Sequence, residues 1–265
     1  VIPPVVDLAW LQAHPHVVLA DVRHYLDGRS GARAYEHGHL PGAVHVPMDE
    51  VLADPPTAEF GRHPLPTPQR FADGLAAVGI GDDSTVVAYD DAGGSMAGRL
   101  VWLLRMLGRD AALLDGGMTA YDGELTTVVP DPAPATFTVT PWPDEALATI
   151  EEAARGCIVI DARGAERFRG ETEPIDAKAG HIPGARSFPL TDNLTEDGHF
   201  LSPVELRERF RGIDDAAKTI SYCGSGITAC HNLIAMEYAG LGRGRLYPGS
   251  WSQYSGTERP VAVGE

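Results

Sequence analysis

Residues 221–230 read Ser-Tyr-Cys-Gly-Ser-Gly-Ile-Thr-Ala-Cys, a thiol set among small residues. A cysteine is a nucleophile only as its thiolate, a form favoured where backbone N–H groups converge at the start of a helix. Gly224 and Gly226 let the chain fold such groups inward around Cys223, and Ser225 adds a hydroxyl. Ile227 and Thr228 close the loop and lead into the next element. Covalent chemistry suits this pattern: a thiolate attacks, and a nearby hydroxyl moves a proton. The ordinary alternative is a buried, inert cysteine. Cys157, in an apolar run, reads that way, as core. Cys230 stands seven residues after Cys223, the wrong spacing for a Cys-x-x-Cys metal or redox pair.

Such a loop needs a strand before it and a helix behind it. Residues 218–222 are short and β-prone, and Ile227, Leu233, Ile234, Met236 and Tyr238 follow helical spacing up to Gly240. The same order of elements occurs earlier in the chain. Residues 17–22 predict a buried strand ending in Asp21-Val22-Arg23, and residues 157–163 predict another ending in Asp161-Ala162-Arg163. Gly38-His39-Leu40-Pro41-Gly42-Ala43 returns as Gly180-His181-Ile182-Pro183-Gly184-Ala185. Thr67-Pro68 and Ser202-Pro203 each open a helix, the second with Glu205 completing a capping box, and Gly79 and Gly212 stop them. Residues 113–117 answer residues 246–250. Strands alternating with helices at this spacing predict an α/β protein of two tandem units, each a mostly parallel sheet flanked by helices.

Pro130, Pro132, Pro134, Pro141 and Pro143 mark a semi-rigid linker. The domains expected are therefore 1–125, a linker over 126–143, and 144–265. A second proline-punctuated stretch, 55–68, is long enough for a functional loop. Aligning Tyr89 with Tyr222 sets Asp90 opposite Cys223, and a carboxylate cannot do thiol chemistry. Only the second copy is equipped as a nucleophile site, and the first reads as a scaffold that lends residues to the cleft. His39 and His181, kept in both copies, read as structural. Asp21, Arg23, Asp161 and Arg163 read as internal braces.

Composition narrows the function. The chain has 265 residues, 43% hydrophobic and 22% charged, in the range of globular proteins. No apolar run approaches the ~20 residues of a membrane span. Three cysteines make no disulfide framework and point to a reducing cytoplasm. A net charge of −16 argues against nucleic acid, and an anionic substrate would have to be drawn in by a local positive site.

Asp-x-Arg, Gly-His-[Ile/Leu]-Pro-Gly-Ala and a C-terminal Cys-Gly-Ser-Gly-Ile-Thr loop together resemble the two-domain rhodanese-type sulfurtransferases, over essentially the whole chain. The loop Cys223-Gly224-Ser225-Gly226 resembles the 3-mercaptopyruvate branch, whereas the thiosulfate branch carries basic residues after its cysteine. The resemblance implies that Cys223 becomes a persulfide, that Ser225, Asp49 and His63 form a proton relay, and that Arg167 holds the substrate carboxylate. It implies that Gly224, Gly226, Ile227 and Thr228 shape the substrate site. The family's frequent second arginine has no counterpart in Glu173-Pro174-Ile175-Asp176, which leaves Lys178 or Arg186 as substitutes. No metal or organic cofactor is implied. The partners implied are a small anionic sulfur donor and an acceptor such as thioredoxin, a small thiol or cyanide, with no nucleic acid or membrane. Two other classes compete. A cysteine phosphatase needs an arginine at position 229, where this chain has Ala229. A non-catalytic sulfur-carrier module would form a persulfide without turnover.

Overall fold

The computed structural model describes residues 1–156, 158–213 and 215–265. They form two compact units. One comprises Val1–Asp54, Leu65–Trp142 and Glu196–Phe200, and the other Pro55–Pro64, Pro143–Thr195 and Leu201–Glu265. Each unit thus holds a short segment that the other half of the sequence supplies. The stretch read as a linker carries no helix or ladder from 127 to 143. It is bound along the first unit: Ala135 N–H donates to Ala76 O at 3.0 Å, Asp82 N–H to Thr136 O at 3.0 Å, and Trp142 Nε1 to Pro66 O at 2.7 Å.

In the first unit the order is β1 (Val5–Val6), α1 (Leu8–Ala13), β2 (Val18–Asp21), α2 (Gly31–His37), β3 (Val44–His45), α3 (Pro68–Ala77), β4 (Val86–Tyr89), α4 (Ala97–Met106) and β5 (Ala111–Leu114). Its sheet runs β1-β5-β4-β2-β3, with every pair parallel. The second unit continues with α5 (Ile150–Arg155), β6 (Ile158–Asp161), α6 (Ala165–Phe168), β7 (Arg186–Ser187), α7 (Pro203–Arg209), β8 (Thr219–Tyr222), α8 (Ala229–Tyr238), β9 (Arg245–Leu246) and α9 (Ser250–Tyr254). Its parallel sheet runs β7-β6-β8-β9, the order of β3-β2-β4-β5. β4 and β8 are buried at every residue, as central strands covered on both faces must be.

Local chemistry explains the helix limits that frame the loops. Ser202 Oγ accepts from Glu205 N–H, Glu205 Oε2 accepts from Ser202 N–H at 2.9 Å, and Pro203 fixes the first turn of α7. The duplicated motifs then fasten each strand end. Arg23 pairs with Asp21 at 2.7 Å and donates to Gly38 O at 2.7 Å, and Arg163 repeats this with Asp161 at 2.6 Å and Gly180 O at 2.7 Å. His39 stacks on Tyr35 and hydrogen-bonds its carbonyl, and His181 does the same with Phe168. Tyr89 Oη accepts Leu40 N–H, and Tyr222 Oη accepts Ile182 N–H. Burial works against the charge on Arg163, but Asp161 holds its pKa above the usual range. Both sheets therefore end in the same rigid platform at the strand tips, where the first residue after β4 or β8 emerges.

Candidate active site

Cys223 is the residue after β8 and is 1% exposed. Gly226 N–H donates to its Sγ at 3.1 Å. Only glycine serves at 226: φ is +79°, and a Cβ there would lie 2.4 Å from Pro248 O. Ile227 and Thr228 carry the chain into α8, their carbonyls accepting from Cys230 N–H at 3.1 Å and His231 N–H at 3.2 Å. The thiol of Cys230, fully buried, donates to Gly226 O at 3.4 Å and so backs the loop. Cys157 lies outside the described residues.

The start of α9 grips the backbone of the cysteine. Cys223 N–H donates to Ser250 Oγ at 3.1 Å, Trp251 N–H to Cys223 O at 2.9 Å, and Ser252 N–H to Gly224 O at 2.8 Å. Ser250 is a non-glycine residue in the left-handed region, at φ +50°. Its counterpart in the first unit is Gly117, at φ +54°. The strained side chain occurs where there is a cysteine to hold.

A short turn places two further groups. Thr57 and Gly61 pair through both backbone hydrogen bonds, and a Cβ on Gly61 would lie 2.6 Å from Ser252 Oγ. Arg62 N–H donates to that Oγ at 3.0 Å. His63, the next residue, brings Nδ1 to 2.8 Å from Ser225 Oγ, with both residues buried. Arg62 Nη2 lies 3.1 Å, and Arg167 Nη1 3.6 Å, from where a Cβ on Gly224 would stand. Two guanidinium groups therefore flank the loop beside the thiol.

Arg62 is a second guanidinium beside the loop, and sequence reasoning did not single it out. The substitutes expected from sequence have partners of their own: Lys178 Nζ donates to Thr257 O at 2.6 Å, and the exposed Arg186 donates to Gly212 O at 3.1 Å. The signal available was adjacency to His63 in a proline-punctuated loop. Both site arginines are held by carboxylates. Glu173 accepts from Arg167 at 2.6 Å and from Arg163 at 3.2 Å, and Asp176 accepts from Arg62 at 2.6 Å and from Arg167 at 3.2 Å. Burial pushes Glu173 up, but hydrogen bonds from Arg167 and from Asp176 N–H hold its carboxyl below the ordinary range.

The corresponding place in the first unit is filled. Asp90 is fully buried, and its two oxygens accept from the N–H groups of Ala92, Gly94, Met96 and Ala97 at 2.7–2.8 Å. Burial pushes this carboxyl above its ordinary range, and the four donors offset only part of that rise. An anion nest does form before α4, occupied by the chain's own carboxylate. Asp49 belongs to the first unit, on the short helical turn Met48–Leu52, with Oδ2 3.9 Å from His24 Nδ1.

Known proteins share this architecture. The model of the rhodanese-like domain matches residues 6–124 and 143–257. A Pseudomonas aeruginosa protein described as a probable 3-mercaptopyruvate sulfurtransferase is 43% identical, covering 97% of this chain and 96% of the relative. A Mycobacterium tuberculosis protein described as a putative thiosulfate sulfurtransferase is 39% identical over 96% of this chain and 93% of its own. The solved 3-mercaptopyruvate sulfurtransferase from Leishmania major superposes with a TM-score of 0.87 at 33% identity, over 97% of this chain and 75% of that one. Among the described residues, no helix is long and apolar enough to cross a membrane.

Proposed function

The chain belongs to the rhodanese-like family and is an enzyme of the sulfurtransferase class, and from that premise we propose that its donor is 3-mercaptopyruvate. The Cys223 thiolate attacks the donor's sulfur. An S–S bond forms, the C–S bond breaks, and its electron pair leaves on carbon as pyruvate enolate. The proton of the donor thiol passes through Ser225, paired with His63, to the enolate carbon, giving pyruvate and a Cys223 persulfide. An acceptor thiol, from a small thiol or a thioredoxin-like dithiol, or cyanide, then takes the outer sulfur. Arg62 and Arg167 bind the donor carboxylate, for which a guanidinium fork is suited. Family resemblance assigns Asp49 the acidic end of the relay, so Asp49→Asn is expected to slow the mercaptopyruvate reaction.

One observation carries the choice of donor: the hydroxyl–imidazole pair Ser225–His63 at 2.8 Å, two residues from the thiol. Sulfite leaving from thiosulfate needs no proton, whereas an enolate does. Steady-state rates with both donors and one common acceptor test this. A kcat/KM at least tenfold higher for 3-mercaptopyruvate is expected, or about 1.4 kcal/mol of transition-state discrimination. Preference for thiosulfate, with Ser225→Ala leaving both rates untouched, would contradict it.

A further inference from the structure

A single carboxylate joins the two site arginines. Asp176 Oδ1 accepts from Arg62 Nη1 at 2.6 Å, and its Oδ2 accepts from Arg167 Nη2 at 3.2 Å. Its side chain is 4% exposed, as is that of Glu173, which accepts from the same Arg167 Nη2 and from its Nε. The third arginine of the cluster, Arg163, is taken up by Asp161 and Glu173. Arg62, Arg163 and Arg167 thus carry three positive charges against the three negative charges of Asp161, Glu173 and Asp176. The loop is flanked by guanidinium groups with no formal charge to spare, in a chain of −16.

A neutralised fork still offers N–H donors to a carboxylate, but it supplies little field. A field acts on a dianion twice as strongly as on a monoanion at the same place. We infer that Asp176 determines specificity: it fixes the spacing of Arg62 and Arg167 and cancels one of their charges, so the site selects monoanionic sulfur donors over dianionic ones. The inference rests on the proposed function in one respect, that these two arginines face the donor. It also accounts for a basic pair beside the cysteine that does not by itself make a thiosulfate site.

Calorimetric binding of two inert anions to the resting full-length enzyme tests it without turnover. Sulfate is the dianion and pyruvate the monoanion, compared in wild type and Asp176→Asn. Loss of the carboxylate charge is expected to tighten sulfate about tenfold and pyruvate about threefold, the tenfold change being about 1.4 kcal/mol. The ratio of kcat/KM for thiosulfate to that for 3-mercaptopyruvate should rise by a similar factor of about three. Glu173→Gln removes one negative charge from the same arginine cluster and should give the same order of effects, which keeps the test open if Asp176→Asn does not fold. Equal changes for the two anions, weaker binding of both, or no binding to any of the proteins would overturn the inference. A wild type that turns over no 3-mercaptopyruvate, with Asp176→Asn still giving the sulfate-selective gain in binding, would sink the donor assignment and leave the role of Asp176 standing.

Discussion

Gly226 donates to the sulfur of Cys223 at 3.1 Å, and Ser225, two residues after the cysteine, pairs its hydroxyl with His63. Cys223→Ser should abolish sulfur transfer without unfolding the protein, because an alcohol is not ionised near neutral pH. Cys230→Ser should retain most activity, since that thiol only backs the carbonyl of Gly226. Ser225→Ala should lower kcat with 3-mercaptopyruvate by about 10²-fold and the thiosulfate rate far less, the usual size of a lost proton-transfer group. Paired steady-state assays check both. The cysteine, serine and glycines were legible in sequence because a strand, a tight turn and a helix are local. Arg62 was not, because its place beside Gly224 depends on the 57–61 turn docking onto Gly249 and Ser252, far along the chain. The same contact alters what Gly224 means: a side chain there displaces Arg62 before it adds any charge of its own.

Two elements repay direct tests, the loop before α4 and the start of α9. Alignment of the copies set Asp90 opposite Cys223, but no sequence pattern revealed that its carboxylate takes four N–H donors. Asp90→Ala leaves those donors unpaired and should destabilise the protein by about 3 kcal/mol, at 1–3 kcal/mol for each buried group left unmade, offset by water entering the loop. Denaturant unfolding measures this, and activity per folded molecule should stay near wild type. Ser250 invites the converse experiment. Ser250→Gly removes a left-handed side chain whose strain is worth about 1 kcal/mol, and with it the acceptor for Cys223 N–H. It should be at least as stable as Ser250→Ala, while both variants slow persulfide formation. The duplicated Asp-x-Arg and Gly-His motifs were legible because each acts within its own unit through short-range bonds.

At the scale of the molecule, charge governs how the proposed anionic donor arrives. A chain of −16 repels it, and the site arginines are compensated locally. Screening by salt should therefore raise kcat/KM, by about two- to threefold between low and physiological ionic strength. A fall over that range would mean that uncompensated cations dominate. Acid acts on the arginine cluster in a defined direction. Glu173 is held below the ordinary 4.5 of a glutamate, so its contribution to stability is present above that value and lost as pH falls through the depressed one. Glu173→Gln should flatten the acid limb of the unfolding profile. The tandem α/β plan was legible from alternating strand and helix signals, whereas the exchange of residues 55–64 and 196–200 between the units was not, since both are loops without periodicity. The central claim, sulfur carried on Cys223, is tested most directly by mass spectrometry of the intact and digested protein after a single addition of 3-mercaptopyruvate without acceptor. The account predicts one added sulfur atom, on the peptide containing Cys223, removed by a thiol acceptor. No added sulfur, or sulfur on Cys230 or Cys157 instead, would contradict it.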